Sequence, residues 1–91
     1  MDAATRKLYW MLEGTRGGPT RLKLLQILDK KPLNTRRLAL QAGMDYKTVQ
    51  GHIELMAKNG ILEAQGNAYG AVYFASPEFE KNDYMRKMLR G

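Results

Sequence analysis

The sequence predicts a small α+β, mostly helical fold: a winged helix-turn-helix with a two-stranded β-hairpin wing and flanking N- and C-terminal helices. Three observations carry this. Ala39, Gly43 and Val49 stand four and six residues apart across two helix-forming runs. Two β-prone runs, ILEAQ and AVYFA, follow them around the glycine-bearing loop GNAYG. A chain of 91 residues, 44% hydrophobic and 26% charged, suits one soluble globular domain.

The first helix is expected from about Ala3 to Glu13, with Ala4, Leu8, Met11 and Leu12 at helical spacing and Gly14 as its end. TRGGP, Thr15 to Pro19, is a turn-forming cluster, and Pro19 suits the next helix's first turn, where its missing N–H has no partner to lose. The second helix, TRLKLLQILDKK, presents Leu24, Leu25, Ile27 and Leu28, with Leu22, as a broad apolar face. Arg21, Lys23, Lys30 and Lys31 are expected at its ends and outer side, and Pro32 forbids its continuation.

Leu33 reads as a short extended, core-directed residue, and Asn34 can cap the third helix, TRRLALQA. Gly43 follows where a left-handed backbone is cheap for glycine and costly for any residue with a β-carbon. Asp45 can cap a fourth helix, about Tyr46 to Asn59, and meet the positive end of its dipole. Within this unit, about residues 34–59, Ala39 lets the two helices approach, Gly43 makes the turn and Val49 packs beneath them. Leu38, Ala42, Met44 and Ile53 complete a core. Gly60 stops the helix, and the wing occupies about residues 61–75. Ser76 and Pro77 open a last helix, about residues 77–89, with Phe79, Tyr84, Met85, Met88 and Leu89 mostly on one face.

Charge narrows the function. A net charge of +6 and an isoelectric point near 9.8 favour polyanionic partners. Residues 15 to 31 concentrate this charge, with Arg16, Arg21, Lys23, Lys30 and Lys31 against Asp29 alone. The absence of cysteine removes thiolate nucleophiles and thiolate metal sites, and the single histidine leaves few ligands for a transition metal. His52 has no orienting partner in the sequence, so neither an enzyme nor a bound metal or cofactor is expected. No apolar run approaches the roughly 18 residues of a membrane span, and MDAATRKLYWML lacks a signal pattern, so no membrane partner and a cytoplasmic location are expected.

A recognition helix enters the major groove with its N-terminal residues at the base edges, which here are Tyr46, Lys47, Thr48, Gln50 and Gly51. Lys47 can neutralise a phosphate or reach guanine, Gln50 can pair with adenine, and Thr48 can bond a phosphate or touch a thymine methyl group. Gly51 costs helix stability of about 1 kcal/mol relative to alanine, which close approach to DNA would explain. His52 reads as a packing or phosphate-contacting residue, Arg36 and Arg37 as clamps on the DNA backbone, and Arg21 as part of the basic cluster beside them. A symmetric homodimer is expected from the outer helices, about residues 3–13 and 77–89, through Trp10, Tyr84, Met85, Met88 and Leu89.

From about Thr15 to Pro77 the sequence resembles the winged-helix transcription regulators of the arsenical-resistance-repressor (ArsR) type, particularly small archaeal members. TRGGPTRLKLLQILDKKP, NTRRLALQAGMDYKTVQGHIELMAKNGIL and the AVYFASP end of the wing carry the likeness. The resemblance implies that Tyr46, Lys47, Thr48 and Gln50 begin the exposed recognition helix and that His52 occupies a place where the family often has histidine. Two features depart from it: there is no cysteine of the kind metal-sensing members use, and GNAYG offers no Lys or Arg to phosphates. The expected function is sequence-specific binding of double-stranded DNA as a transcription regulator. The alternative is a winged-helix protein-interaction module within a transcription or replication assembly, with RNA binding third and catalysis last.

Overall fold

The computed structural model describes residues 1–67 and 70–91. Its elements run α1 (Ala3–Leu12), α2 (Gly18–Lys30), β1 (Leu33–Asn34), α3 (Thr35–Ala42), α4 (Tyr46–Lys58), β2 (Leu62–Gln65), β3 (Val72–Ala75), α5 (Pro77–Glu80) and α6 (Asp83–Arg90). The expected turn GNAYG is described except for Ala68 and Tyr69, which lie outside the described residues.

Short polar side chains set where the helices begin, because the first backbone N–H groups of a helix lack internal acceptors. Asp2 accepts from Thr5, Asn34 from Arg37, Asp45 from Thr48 and Asn82 from Met85, at 2.7, 2.8, 3.2 and 3.0 Å. α3 ends at Gly43, whose φ of 68° is the left-handed conformation expected of it, and its N–H returns to the carbonyls of Ala39 and Leu40. α4 therefore restarts three residues later, at Tyr46.

β2 and β3 form the antiparallel wing, with Leu62 opposite Ala75 and Gln65 opposite Val72. The extended residue after Pro32 does more than fill the core: Leu33 pairs with Tyr73 and Asn34 with Val72, giving a three-stranded antiparallel sheet ordered β1-β3-β2. That third strand ties the wing to the chain entering α3. The Ser76 hydroxyl donates to the Gly60 carbonyl at 2.7 Å and closes the base of the hairpin.

The core draws on nearly every element. Leu8, Met11 and Leu12 of α1 meet Leu24, Leu25 and Leu28 of α2, Leu38, Ala39 and Ala42 of α3, and Val49, Ile53 and Met56 of α4. Ile61, Leu62 and Phe79 close it from the wing side. Ala39 and Val49, the small and β-branched residues of the predicted motif, are both buried.

The last helix departs from expectation. It is two helices, because Lys81 and Asn82 break the run and the Asn82 side chain caps a new start. Asn82 also donates from Nδ2 to the Thr5 hydroxyl at 3.0 Å, and Gln26 Nε2 to the Met88 carbonyl at 3.3 Å, so α6 is fastened to α1 and α2. The resulting turn carries Met85 inward. It is 0% exposed, in the core of its own domain, so its assignment to a dimer surface is corrected. Tyr84, Met88 and Leu89 lie half-buried against the same core. Met85→Ala should therefore cost about 2–5 kcal/mol of folding stability, the range for emptying a packed core site, as read by urea denaturation. A Met85 that served only association would leave that stability unchanged.

Candidate nucleic-acid interface

α4 exposes one face and buries the other. Tyr46, Lys47, Thr48 and Gly51 are exposed, Gln50 is half-buried, and Val49, Ile53 and Met56 hold the helix to the core. At 100° per residue Lys47, Gly51, Glu54 and Lys58 fall along one side, and all four are exposed. The Asp45 carboxylate accepts from the Thr48 N–H at 3.2 Å and from the Thr48 hydroxyl at 3.5 Å, while the side chains of Tyr46, Lys47 and Gln50 make no hydrogen bond among the described residues. Tyr46 is 46% exposed beside them. Glu54 was not anticipated from the sequence as a site residue, although its spacing of seven from Lys47 places it on the same side.

Gly51 stands apart from the glycines that the fold itself requires. A β-carbon at Gly51 would meet nothing within 4 Å, whereas one at Gly18 would strike the Leu12 carbonyl and one at Gly17 would stand 2.6 Å from Arg21 Nη1. Nothing inside the domain calls for glycine at position 51.

Arg36 and Arg37 are exposed on the first turn of α3, next to the start of α4 in the turn unit. Arg21 is not on the outer surface, and its grouping with the DNA-contacting cations is corrected. It is 5% exposed, because position 21 shares the inward stripe of Leu24, Leu25 and Leu28 on α2. Its Nε donates to the Met11 carbonyl at 2.8 Å, one Nη donates to the Thr15 hydroxyl, and the other lies 3.2 Å from His52 Nδ1. Arginine only donates, so Nδ1 accepts and His52 is the tautomer protonated on Nε2. Burial first, and the Arg21 charge second, hold the His52 pKa below its ordinary value. His52 is thus a packing residue that orients α4 against the α1–α2 loop.

The outer face of α1 carries Trp10, 53% exposed, and Tyr9, whose ring packs at 6.4 Å against that of Tyr84. The Tyr84 hydroxyl is buried without a hydrogen-bond partner among the described residues. Its burial and the neighbouring Glu13 carboxylate hold its pKa up to about 12. Trp10 is the expected interface residue that stands most clear of its own domain. The wing differs from the helices in charge: residues 61–75 contain Glu63 and no Lys or Arg. Among the described residues no group of three or more His, Asp or Glu is placed to hold a metal ion, and no helix is long and apolar enough to cross a membrane.

No protein-family model matches the sequence, and no curated protein matches it. Solved structures do match. A predicted DNA-binding transcriptional regulator from E. coli aligns at a TM-score of 0.69 with 22% identity, over 96% of this chain and 82% of that one. The transcriptional repressor BigR from Xylella fastidiosa aligns at 0.70 with 19% identity, over 92% and 75%. The homodimeric winged helix-turn-helix DNA-binding domain of Mb0332 from Mycobacterium bovis, a possible ArsR-family transcriptional regulator, aligns at 0.66 with 20% identity, over 94% and 76%. At these identities the likeness establishes the fold as a winged helix-turn-helix.

The Arg21–His52 contact has a pH signature. An unfolded His52 takes up its proton near pH 6.5, while the folded one resists it to lower pH. Below about pH 6.5 the unfolded state therefore binds more protons, so this contribution to stability is complete above that pH and is lost as the pH falls through the folded pKa. His52→Gln keeps an acceptor for Arg21 without the titration. Urea denaturation at pH 7.5 and 5.5 should show a smaller loss of stability on acidification in His52→Gln than in the parent chain.

Proposed function

We propose that the chain is a sequence-specific, double-stranded DNA-binding transcription regulator of ArsR-like type that acts as a homodimer. The exposed polar start of α4 carries this reading, because it is held by the Asp45 cap and the Val49 and Ile53 anchors while the side chains of Lys47 and Gln50 make no hydrogen bond among the described residues. Lys47 supplies charge to phosphate or guanine, Gln50 an amide for adenine, and Thr48 a hydroxyl and methyl for backbone or thymine. Glu54, one turn further on, can accept from the cytosine amino group. Arg36 and Arg37 meet the phosphates that the first helix of such a unit crosses. His52 acts by orienting α4. The fold likeness to DNA-binding regulators, one of them described as a homodimer, supports the same reading.

Two copies would join through the outer face of α1 around Trp10, with Tyr84, Met88 and Leu89 contributing their half-exposed edges. A two-fold axis there sets both α4 helices toward one side, and successive major grooves lie roughly 34–36 Å apart. Selection from random duplexes should return an inverted repeat with half-sites about 10 base pairs apart, bound by two chains. The logarithm of affinity should fall with the logarithm of salt at a slope of about −4 to −5, for roughly five phosphates neutralised per protein. A flat salt response, or single strands bound as well as duplexes, would remove the duplex-DNA reading and leave the protein-interaction module.

Gly51→Ala separates a DNA-facing notch from a neutral glycine. Because the added methyl group meets open space, the variant should gain up to about 1 kcal/mol of folding stability. If base edges or backbone come close at this point, the same variant should bind the selected duplex more weakly, as measured by fluorescence anisotropy. Unchanged affinity would show that Gly51 lies clear of DNA.

A further inference from the structure

Leu40 is 75% exposed on α3 and lies beside the half-buried Met44 and the exposed Tyr46, so that the three form one apolar patch. Leu40 forms a ridge between two shallow grooves. One, about 330 Å³, runs along Arg36, Met44 and Tyr46; the other, about 390 Å³, runs along Lys31, Arg37 and Gln41. Among the described residues, neither groove is lined by an aspartate or a glutamate. The surface is therefore an apolar ridge in a rim of three exposed cations.

A phosphate backbone answers the cations but places nothing on the leucine, and an apolar partner answers the leucine but buries the cations against nothing. A segment carrying carboxylates and apolar side chains on one surface satisfies both, and a helix supplies them in stripes at i, i+3, i+4 and i+7. We propose that the Leu40 ridge docks an acidic amphipathic helix of another protein. Its apolar stripe would straddle Leu40 into the two grooves, and its flanking carboxylates would face Lys31, Arg36 and Arg37. The inference goes beyond the DNA-binding reading: it shares Arg36, Arg37 and Tyr46 with that reading, while Leu40, Met44 and Gln41 have no part in it. Because α3 is joined to α4 by the Gly43 turn, a partner seated there would lie beside anything α4 holds.

The test uses the full chain, labelled with nitrogen-15, and a synthetic helical peptide with leucines at i, i+3, i+4 and i+7 between glutamates. One control peptide keeps the leucines and carries lysines for the glutamates; the other keeps the glutamates and carries alanines for the leucines. The acidic amphipathic peptide should shift the amides of residues 36–46, and both controls should bind at least about tenfold more weakly. Leu40→Gln, an exposed substitution that leaves the core intact, should weaken the acidic peptide at least about tenfold while holding affinity for a random-sequence duplex within about twofold. No binding overturns the proposal. So do equal binding of the alanine control, which would mean plain charge attraction, and shifts centred on α1. A tenfold loss of duplex affinity in Leu40→Gln would assign the ridge to DNA and also overturn it.

Discussion

A buried guanidinium without a carboxylate is the constraint around which α1, α2 and α4 are arranged. Burying a full charge is costly unless its donors are met, and Arg21 meets them with the Met11 carbonyl, the Thr15 hydroxyl and His52 Nδ1. Met11 lies in the last turn of α1, where carbonyls lack internal donors and carry the negative end of the helix dipole. One side chain thus completes the end of α1 while that end compensates its charge. The approach leaves no room for a side chain at Gly17, and the end of α1 itself, at the Leu12 carbonyl, leaves none at Gly18. Lys7 Nζ adds a second tie, donating to the Asn59 carbonyl at the end of α4. In the proposed two-fold assembly through α1, the distance between two α4 helices would be set along this path, so the Arg21 node would bear on DNA spacing without touching DNA.

In the proposed DNA-binding reading, the distribution of charge would place the burden of recognition on the helices. The wing offers Glu63 and no cation, so it cannot supply the phosphate contacts that would anchor it in a groove by charge. Arg36, Arg37 and Lys47 are exposed near the turn between α3 and α4, and Lys58 ends the exposed side of α4. Binding driven from this side alone would read the groove through Gln50 and its neighbours, with the three-stranded sheet acting chiefly to hold the far end of α4 in place through Ile61 and Leu62.

What was legible in the sequence was local. Capping by Asn34 and Asp45, the left-handed turn at Gly43 and the burial of Ala39 and Val49 each follow from a residue's own chemistry and its nearest neighbours along the chain. The third strand depends on partners 38 and 40 positions away in β3, and the break at Asn82 on a partner 77 positions away in α1, which no local pattern contains. Arg21 is a different case. Its spacing from Leu24, Leu25 and Leu28 already placed it on the buried stripe, and its charge argued for the surface; the free carbonyl at the end of α1 decided between them. Met85 shared a stripe with Tyr84, Met88 and Leu89, and the stripe was right, but only the separate start of α6 shows that it turns inward.

The glycines show how a structure separates internal from external causes. Gly43 is fixed by a backbone angle, and Gly17 and Gly18 by atoms that a β-carbon would strike. Gly51 has neither: its backbone is ordinary helix and its surroundings are open. A helix interior loses stability by holding glycine there, so the domain on its own would be better served by alanine. The same reasoning applies to Leu40, where solvent exposure is unfavourable to the isolated domain. Neither residue is required by the domain's own packing, which is what the proposed contacts, with DNA at Gly51 and with a partner helix at Leu40, would explain.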